Sequence, residues 1–562
     1  MKLVLVQPPI EDFYDTDVRL QPIGLAYLAG AVRDHLPGVS VEILDFHHGW
    51  GRRSLRLPEE LSYLREYYAH HDESPFSTFH QYYRFGATDA DMARVLREKD
   101  PDVVGISSLF TPYYREALAV ARLAKAHTRA RVVMGGSHVS ADPHSILREP
   151  AVDFVVTGEG ERPLLALLRA LSAGTACSRW VNAGGENEAI DELPIPDLSS
   201  LRPGSYRLRG KPMVFLVTSR SCPHRCSFCS VHATFGFRYR RVSVPRVLEE
   251  MKLRYQEGYR VFDFEDDNLT YYKDEMKELC RAIRREFPAG PEGGVELVAM
   301  NGISYLSLDT ELLQLMKAAG FTRLNLALVS SDTSVLETTK RPHTVSKYLE
   351  VIEEAHRLGF EITSYQILGL PFESRASMVQ TLVFAARLPV LLGASPFYLT
   401  PGSPIQRQLG VELSEGDYLK ARLTALAWEG RDFTRDDVYT LFVTTRILNF
   451  LKSRGRSARR RRLGEELLET LLSEGRLLSA SGKSRRPCTR FRSELFFEVW
   501  ERLEYVTDLE GVRIMVQDAA ARSAQKVTVP SRGRTRLAGR DGSAPLRTRP
   551  RTPRLLAPLT RK

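Results

Sequence analysis

Short β-rich runs and amphipathic helical stretches alternate twice along this sequence, over the first ~170 residues and again from Pro212 to about Ile405. In the first half the strand candidates are Lys2–Val6, Val41–Phe46, Val103–Ser107, Arg131–Met134 and Phe154–Thr157, and the helix candidates Ile23–His35, Tyr114–His127 and Pro163–Ser172. Strand and helix in strict alternation predict an α/β fold, a doubly wound parallel sheet with helices on both faces. In the second half the strand candidates are Met213–Thr218, Tyr259–Phe264, Val295–Met300, Arg323–Val329, Glu361–Ile367 and Ser395–Leu399. The helical stretches between them include Val244–Glu257, Tyr271–Arg285, Asp309–Ala319, Val345–Leu358 and Ser374–Leu388. Six βα units predict a partial (β/α)6 barrel of the TIM type, with its chemistry at the C-terminal ends of the strands. Beyond Ile405 helical patterns dominate, as in Tyr418–Trp428, Asp437–Leu451 and Gly464–Leu478. The expected organisation is therefore a doubly wound domain over 1–172, a linker over 173–211, the barrel over 212–404, a mainly helical C-terminal region over 405–530 and a disordered basic tail over 531–562. Residues 47–100 form an insertion that the pattern does not assign.

Composition matters here for what it removes. The 562 residues carry 79 Lys plus Arg against 69 Asp plus Glu, a formal +10 that would suit a polyanionic partner if it were spread evenly. It is not. Residues 531–562 hold ten basic residues and one acid, and 452–462 hold seven basic residues and none. Without these two patches the remainder has 62 basic against 68 acidic residues, and the tail lacks the aromatic residues that stack on bases. Nucleic acid is therefore not the expected partner. No export signal is visible at the N-terminus, and the most apolar later run, 382–394, is interrupted by Arg387 and Pro389. That pattern gives no transmembrane segment and predicts a cytoplasmic protein, where clustered cysteines suggest metal or redox work.

The turns after the first-half strands hold Gln7-Pro8-Pro9, Ser107-Ser108, Gly135-Gly136-Ser137-His138 and Gly158-Glu159-Gly160-Glu161. Ligands of such sheets bind beyond the carboxyl ends of the strands, and glycine there allows close backbone approach; βα turns also use glycine for their own geometry. Three of the six cysteines fall within eight residues, Cys222-Pro-His-Arg-Cys226-Ser-Phe-Cys229. Three thiolates on one loop directly after a strand can converge on one metal centre. Their number leaves an open coordination position for a substrate or cofactor. A zinc site completed by His224 or His232, and unligated thiols, remain as alternatives.

The C-x3-C-x2-C spacing, with Phe228 before the last cysteine and at the end of the first barrel strand, resembles the radical S-adenosylmethionine (SAM) superfamily. The resemblance implies that Cys222, Cys226 and Cys229 hold a [4Fe-4S] cluster that chelates SAM, with Phe228 against the adenine. Reductive cleavage of SAM would then give a 5′-deoxyadenosyl radical that abstracts hydrogen from substrate. Further segments match at the proper strand ends. Glu265, Asp266 and Asp267 occupy the place of the acidic motif that binds the SAM amino group. Ser330 stands at the strand-four motif as a ribose contact, although Val329 and Ser331 replace its glutamate and glycine. Gly369, within Gln366–Glu373, belongs to the strand-five signature, and Tyr398–Pro404 resembles the strand-six signature. A doubly wound domain before such a barrel is similar to the cobalamin (B12)-binding subclass, and residues 1–404 are covered by that resemblance. Its Rossmann-like domain would cradle cobalamin at Ser107, Ser108, Gly135, Gly136, Gly158 and Glu159. The Asp-x-His-x-x-Gly signature that supplies a histidine to cobalt elsewhere is absent: Asp45-Phe-His47 and Asp142-Pro-His144 lack its glycine.

The resemblance implies a radical SAM enzyme, with methyl transfer to an unactivated carbon of a small organic substrate as the leading activity. The alternatives are a radical SAM oxidoreductase or cyclase, and radical SAM modification of RNA or a peptide without cobalamin. The implied cofactors are a [4Fe-4S] cluster, SAM and cobalamin, and the implied partners a small-molecule substrate and an electron donor such as ferredoxin or flavodoxin.

Overall fold

The computed structural model describes residues 1–504 apart from 15–19, 183–188, 203, 289–293 and 453–456. The tail expected to be disordered, 531–562, lies outside the described residues.

The first sheet consists of β1 (Lys2–Gln7), β2 (Ser40–Asp45), β3 (Val103–Ser107), β4 (Arg131–Gly135), β5 (Phe154–Thr157) and β6 (Trp180–Asn182). All its pairings are parallel and their order is β2-β1-β3-β4-β5-β6. Both faces are covered, as a parallel sheet requires, and the alternation of β1 divides cleanly between them. Leu3 and Leu5 enter one core with residues of α1 (Ile23–His35), whereas Val4 and Val6 enter another with Met92 and Leu96 of α2 (Asp89–Lys99) and Val120 and Ala124 of α3 (Tyr114–His127). The helix after β5, α4 (Glu161–Ala173), packs beside α1 and ends on Gly174 in the left-handed conformation.

Two expectations change here. The linker expected over 173–211 contributes β6, which extends the sheet by one strand. The unassigned insertion supplies α2, opened by a capping box between Thr88 and Asp91, and the strands Arg52–Ser54 and Tyr83–Phe85, which form a three-stranded antiparallel sheet with Ile10–Asp12.

Six further parallel strands follow: β7 (Lys211–Leu216), β8 (Val261–Phe264), β9 (Glu296–Val298), β10 (Arg323–Val329), β11 (Glu361–Leu368) and β12 (Leu391–Pro396). They form two ladders, β7-β8-β9 and β10-β11-β12, joined by the bridges Leu297↔Phe321 and Ile303↔Leu326. The helices between them are α5 (Val244–Gln256), α6 (Lys273–Glu286), α7 (Thr310–Ala319), α8 (Val345–Arg357) and α9 (Arg375–Ala386). Along β11, fully buried Ile362, Ser364, Gln366 and Leu368 alternate with half-buried Thr363, Tyr365 and Ile367. This is the pattern of a barrel with one face sealed by helices and the other open to an interior space. The last strand starts at Leu391, upstream of the expected Ser395–Leu399, because the apolar run that reads as the end of a helix enters the sheet.

Residues beyond 405 close the barrel. α10 (Arg435–Lys452) packs on β12 and carries Asn449, whose amide accepts from Leu392 N at 2.8 Å and donates to Leu392 O at 2.7 Å. One side chain thus satisfies backbone groups on an edge strand that would otherwise invite another strand. The helix expected over Tyr418–Trp428 does not form; Glu415–Tyr418 and the 3-10 turn Leu423–Ala425 stand in its place. Arg422 is extended there, which lets its guanidinium reach Asp12 at 3.1 Å and the Glu11 and Pro112 carbonyls at 2.6 and 2.8 Å. α11 (Ala458–Glu474), a hairpin of Leu478–Ser481 and Ser484–Pro487, and α12 (Ser493–Glu504) complete the described chain. Among the described residues no helix is long and apolar enough to cross a membrane.

Candidate active site

The cysteines sit on the loop after β7. A two-stranded ribbon closes the base of this loop, pairing Ser219 with Arg241 and Arg220 with Arg240. Asp266, at the end of β8, fixes the loop's origin: its Oδ1 accepts from Thr218 N at 3.1 Å and Thr218 Oγ1 at 2.9 Å, and from the Ser219 hydroxyl. Ser221, directly before Cys222, has a φ of 71° and donates its hydroxyl to the Gly236 carbonyl at 2.8 Å. A non-glycine residue in that region persists only where its surroundings determine it.

Cys226 is buried, and Cys222 and Cys229 are half-buried. Burial raises the Cys222 thiol above its ordinary range and pushes Cys229 up to about 12. Two side chains donate to the sulfurs: Asn268 Nδ2 reaches Cys222 Sγ at 3.6 Å and Arg341 Nη1 reaches Cys226 Sγ at 3.8 Å. His232 is an unsuitable metal ligand, because its Nδ1 and Nε2 lie 2.8 Å from the carbonyls of Gly236 and His224. His224 Nε2 is buried without a partner, with the His343 ring 5.6 Å away. Among the described residues no three His, Cys, Asp or Glu groups close into a single-ion cage.

The acidic segment after β8 splits into three roles. Asp266 is consumed by the loop's own hydrogen bonds, and Glu265 accepts from Asn301 Nδ2 at 2.6 Å. Asp267 keeps an open surface, yet enough protein surrounds it that burial, with the Asp266 charge next, pushes its carboxyl up to about 7. Phe228 is partly buried and packs against the main core. Ser330 is fully enclosed, its hydroxyl 3.0 Å from Thr381 Oγ1 and accepting from Asp332 N, so the structure does not bring it to an open space. Gly369, with a φ of 81°, serves packing: a Cβ there would lie 3.0 Å from the Phe433 ring.

On the first sheet, the turns carrying Ser107, Ser108, Gly135, Gly136 and Gly158 lie side by side. Ser108 N donates to Gly135 O at 2.8 Å, and Gly158 N donates to Ser140 Oγ at 3.0 Å. Gly136 has a φ of 114°, and a Cβ would come within 2.6 Å of Ser108 O, so these glycines are needed by the turns themselves. Ser108 Oγ and His138 Nε2 are buried with no partner among the described residues. Leftover polar atoms of this kind at strand ends fit a large polar cofactor. Burial lowers the His138 imidazole to about 4, so it is neutral. Neither sequence near-match to the histidine signature is poised as a ligand: Asp45 caps the turn at His47 and His48, Asp142 accepts from Ser145 N, and the His144 ring lies 5.3 Å from that of Trp180.

Glu159 has another task. It pairs with Arg220 at 2.6 Å and Arg240 at 2.5 Å, while Glu161 pairs with Arg220 at 2.5 Å, and all four side chains are at most 8% exposed. The β5 turn of one sheet therefore grips both arginines at the base of the cysteine loop in the other. Sequence reasoning, which sees glycines and cysteines by their spacing, missed Arg220, Arg240 and Arg341, none of which belongs to a spaced motif, and read Asn268 only as part of the acidic segment.

Three thiols thus lie at the open end of a partial barrel, braced by the turns of a doubly wound sheet. Residues 216–385 match the radical SAM superfamily and residues 79–168 the B12 binding domain. An uncharacterised methyltransferase of Pyrococcus horikoshii is 30% identical over 408 residues, covering 69% of this chain and 79% of that protein. The cytidylyl-2-hydroxyethylphosphonate methyltransferase of Streptomyces wedmorensis is 28% identical, covering 66% and 73%. The fold is shared with the cobalamin-dependent SAM radical enzyme OxsB, with a TM-score of 0.58, 14% identity and coverage of 93% and 83%. It is also shared with the radical SAM methyltransferase TsrM of Kitasatospora setae, with a TM-score of 0.53, 18% identity and coverage of 76% and 85%. This chain belongs to the radical SAM superfamily, in the subclass that carries a B12-binding domain. It is a radical SAM enzyme, and the cofactors of its class are a [4Fe-4S] cluster, SAM and cobalamin.

Proposed function

We propose that this enzyme transfers a methyl group to an unactivated carbon of a small organic substrate, with Cys222, Cys226 and Cys229 holding the cluster. The observation that carries the reading is the grip of Glu159 and Glu161 on Arg220 and Arg240, which sets the turns of the B12-binding sheet against the base of the cysteine loop. Two cofactors that act on one substrate must face one space, and a contact between the turn and the loop that would hold them supports that arrangement. Bound together, the cofactors supply a 5′-deoxyadenosyl radical and a transferable methyl group; the chain's part is to bind, orient and exclude water.

Asp267, exposed and held by a hydrogen bond from the Ser221 backbone, would receive the SAM ammonium, and Phe228 would lie along the adenine. Ser107, Ser108 and the backbone of Gly135, Gly136 and Gly158 would cradle the corrin and its nucleotide tail. Ser108 Oγ and His138 Nε2 are the polar atoms left to bond it. No histidine is placed to reach cobalt through the missing signature. Both named methyltransferase relatives support methyl transfer. A one-electron donor of the ferredoxin or flavodoxin kind would reduce the cluster.

Anaerobic reconstitution tests the reading. The expected results are iron and sulfide sufficient for one cubane cluster, corrin absorption on titration with cobalamin, 5′-deoxyadenosine on reduction, and label moving from methyl-labelled SAM to a small acceptor. A cluster-loaded protein that forms 5′-deoxyadenosine but never binds corrin would remove methyl transfer and leave oxidation or cyclisation. The anaerobic magnesium-protoporphyrin IX monomethyl ester cyclase of Cereibacter sphaeroides, 25% identical over 402 residues, favours that second reading.

A further inference from the structure

Arg341 lies after the short helix Thr333–Thr338 and is half-buried beside the cysteine loop. Its Nη1 donates to Cys226 Sγ at 3.8 Å, its Nη2 donates to the Ala327 carbonyl and faces His343 Nε2 at 3.4 Å, and its Nε is buried with no partner among the described residues. Among the described residues no carboxylate forms an ion pair with it. A guanidinium withdrawn from water in this way is costly unless an anion compensates it. The acceptors around it are a carbonyl, an imidazole and one sulfur. Only the sulfur can acquire negative charge, which it does when it ligates a metal.

We infer that Arg341 is the counter-charge of the cluster held by Cys222, Cys226 and Cys229 and that it raises the cluster's reduction potential. This rests on the proposed assignment of those cysteines. Reduction adds one electron, taken from an external one-electron reductant, and therefore one negative charge. A cation bonded to a ligating thiolate stabilises the reduced form more than the oxidised form, and hydrogen bonds to the sulfurs act in the same direction. Asn268, donating to Cys222 Sγ at 3.6 Å, contributes by its dipole alone. Arg341 and Asn268 act through the cysteine sulfurs they bond and are positioning residues.

The test is an EPR-monitored potentiometric titration of anaerobically reconstituted wild type, Arg341→Gln, Arg341→Lys and Asn268→Ala, with iron content measured on each. Arg341→Gln is expected to keep its iron and to hold about tenfold less reduced cluster at a fixed ambient potential, a shift of about 59 mV to more negative values for a one-electron couple. Arg341→Lys should stay close to wild type, and Asn268→Ala should shift the same way by less. An iron-replete Arg341→Gln protein with the wild-type midpoint overturns the inference. If its affinity for SAM falls while the midpoint stays fixed, the inference is likewise overturned and Arg341 is reassigned to the SAM carboxylate. Should Arg341→Gln hold no cluster, the lysine variant decides: a cluster near the wild-type midpoint assigns the role to charge, and loss in both overturns it. A wild-type protein that forms no cluster overturns the cysteine assignment itself, a failure that the iron assay separates from the others.

Discussion

The three cysteines occupy different surroundings although they share one loop. Cys226 is enclosed beside Arg341, Cys222 touches Asn268, and burial pushes the Cys229 thiol up to about 12. Replacing any one by alanine should reduce bound iron and 5′-deoxyadenosine formation to background while far-ultraviolet circular dichroism stays unchanged; iron retained in all three variants would refute the assignment. A second prediction concerns Glu116, a fully enclosed carboxyl whose Oε2 has no partner among the described residues. Burial, with the nearby Glu11 next, pushes it up to about 8 from 4.5. A raised carboxyl favours the neutral form in the fold. Its contribution is therefore full below the ordinary value of 4.5 and is lost as pH rises toward 8. Glu116→Gln should flatten the fall of the thermal midpoint across that window, and an unchanged slope would mean that another group carries it. At this scale the sequence shows what a motif spaces and hides what a fold gathers. The cysteines were legible by spacing. Glu159 was placed at a ligand turn because its neighbours are glycines, and only the tertiary structure reveals the two arginines that claim it.

Among elements, the ribbon at the base of the cysteine loop and the helix that seals β12 do the most to shape the site. Removing one partner of a buried ion pair leaves the other charge uncompensated, a cost of about 3 kcal/mol or more. Glu159→Gln should therefore lower stability by roughly that amount in chemical denaturation, and it should loosen both cluster retention and corrin binding. A variant as stable as wild type would show that the grip carries little. Asn449→Leu strips an edge strand of its two backbone bonds and should cost about 1–3 kcal/mol in the same measurement. Helix limits such as Ile23–His35 and Tyr114–His127 were readable because a 3.6-residue apolar period survives packing. Tyr418–Trp428 has enough helical pattern to mislead. There the ion pair of Arg422 with Asp12, two residues distant in sequence by most of the chain, outweighs local propensity.

For the whole molecule, the main core is continuous from Leu3 and Leu5 through the barrel to Leu467 and Val499. A chain ending at 404 would expose the barrel face that Val443, Ile447 and Leu448 cover and would leave Asp12 without Arg422. It should elute as aggregates in size-exclusion chromatography at concentrations where the full chain does not; a well-behaved truncated protein would argue against a shared core. The two α/β halves were legible from alternation alone. Their union was not, since beyond the shared apolar core it is made by Arg220 and Arg240 reaching Glu159 and Glu161 rather than by a periodic pattern. The grip on the cysteine loop also bears on biosynthesis. Glu159 precedes Arg220 by 61 residues, so it leaves the ribosome first. Translation thus delivers the receiving turn before the loop that docks on it, while Arg240, the last member of the grip, emerges only after all three cysteines.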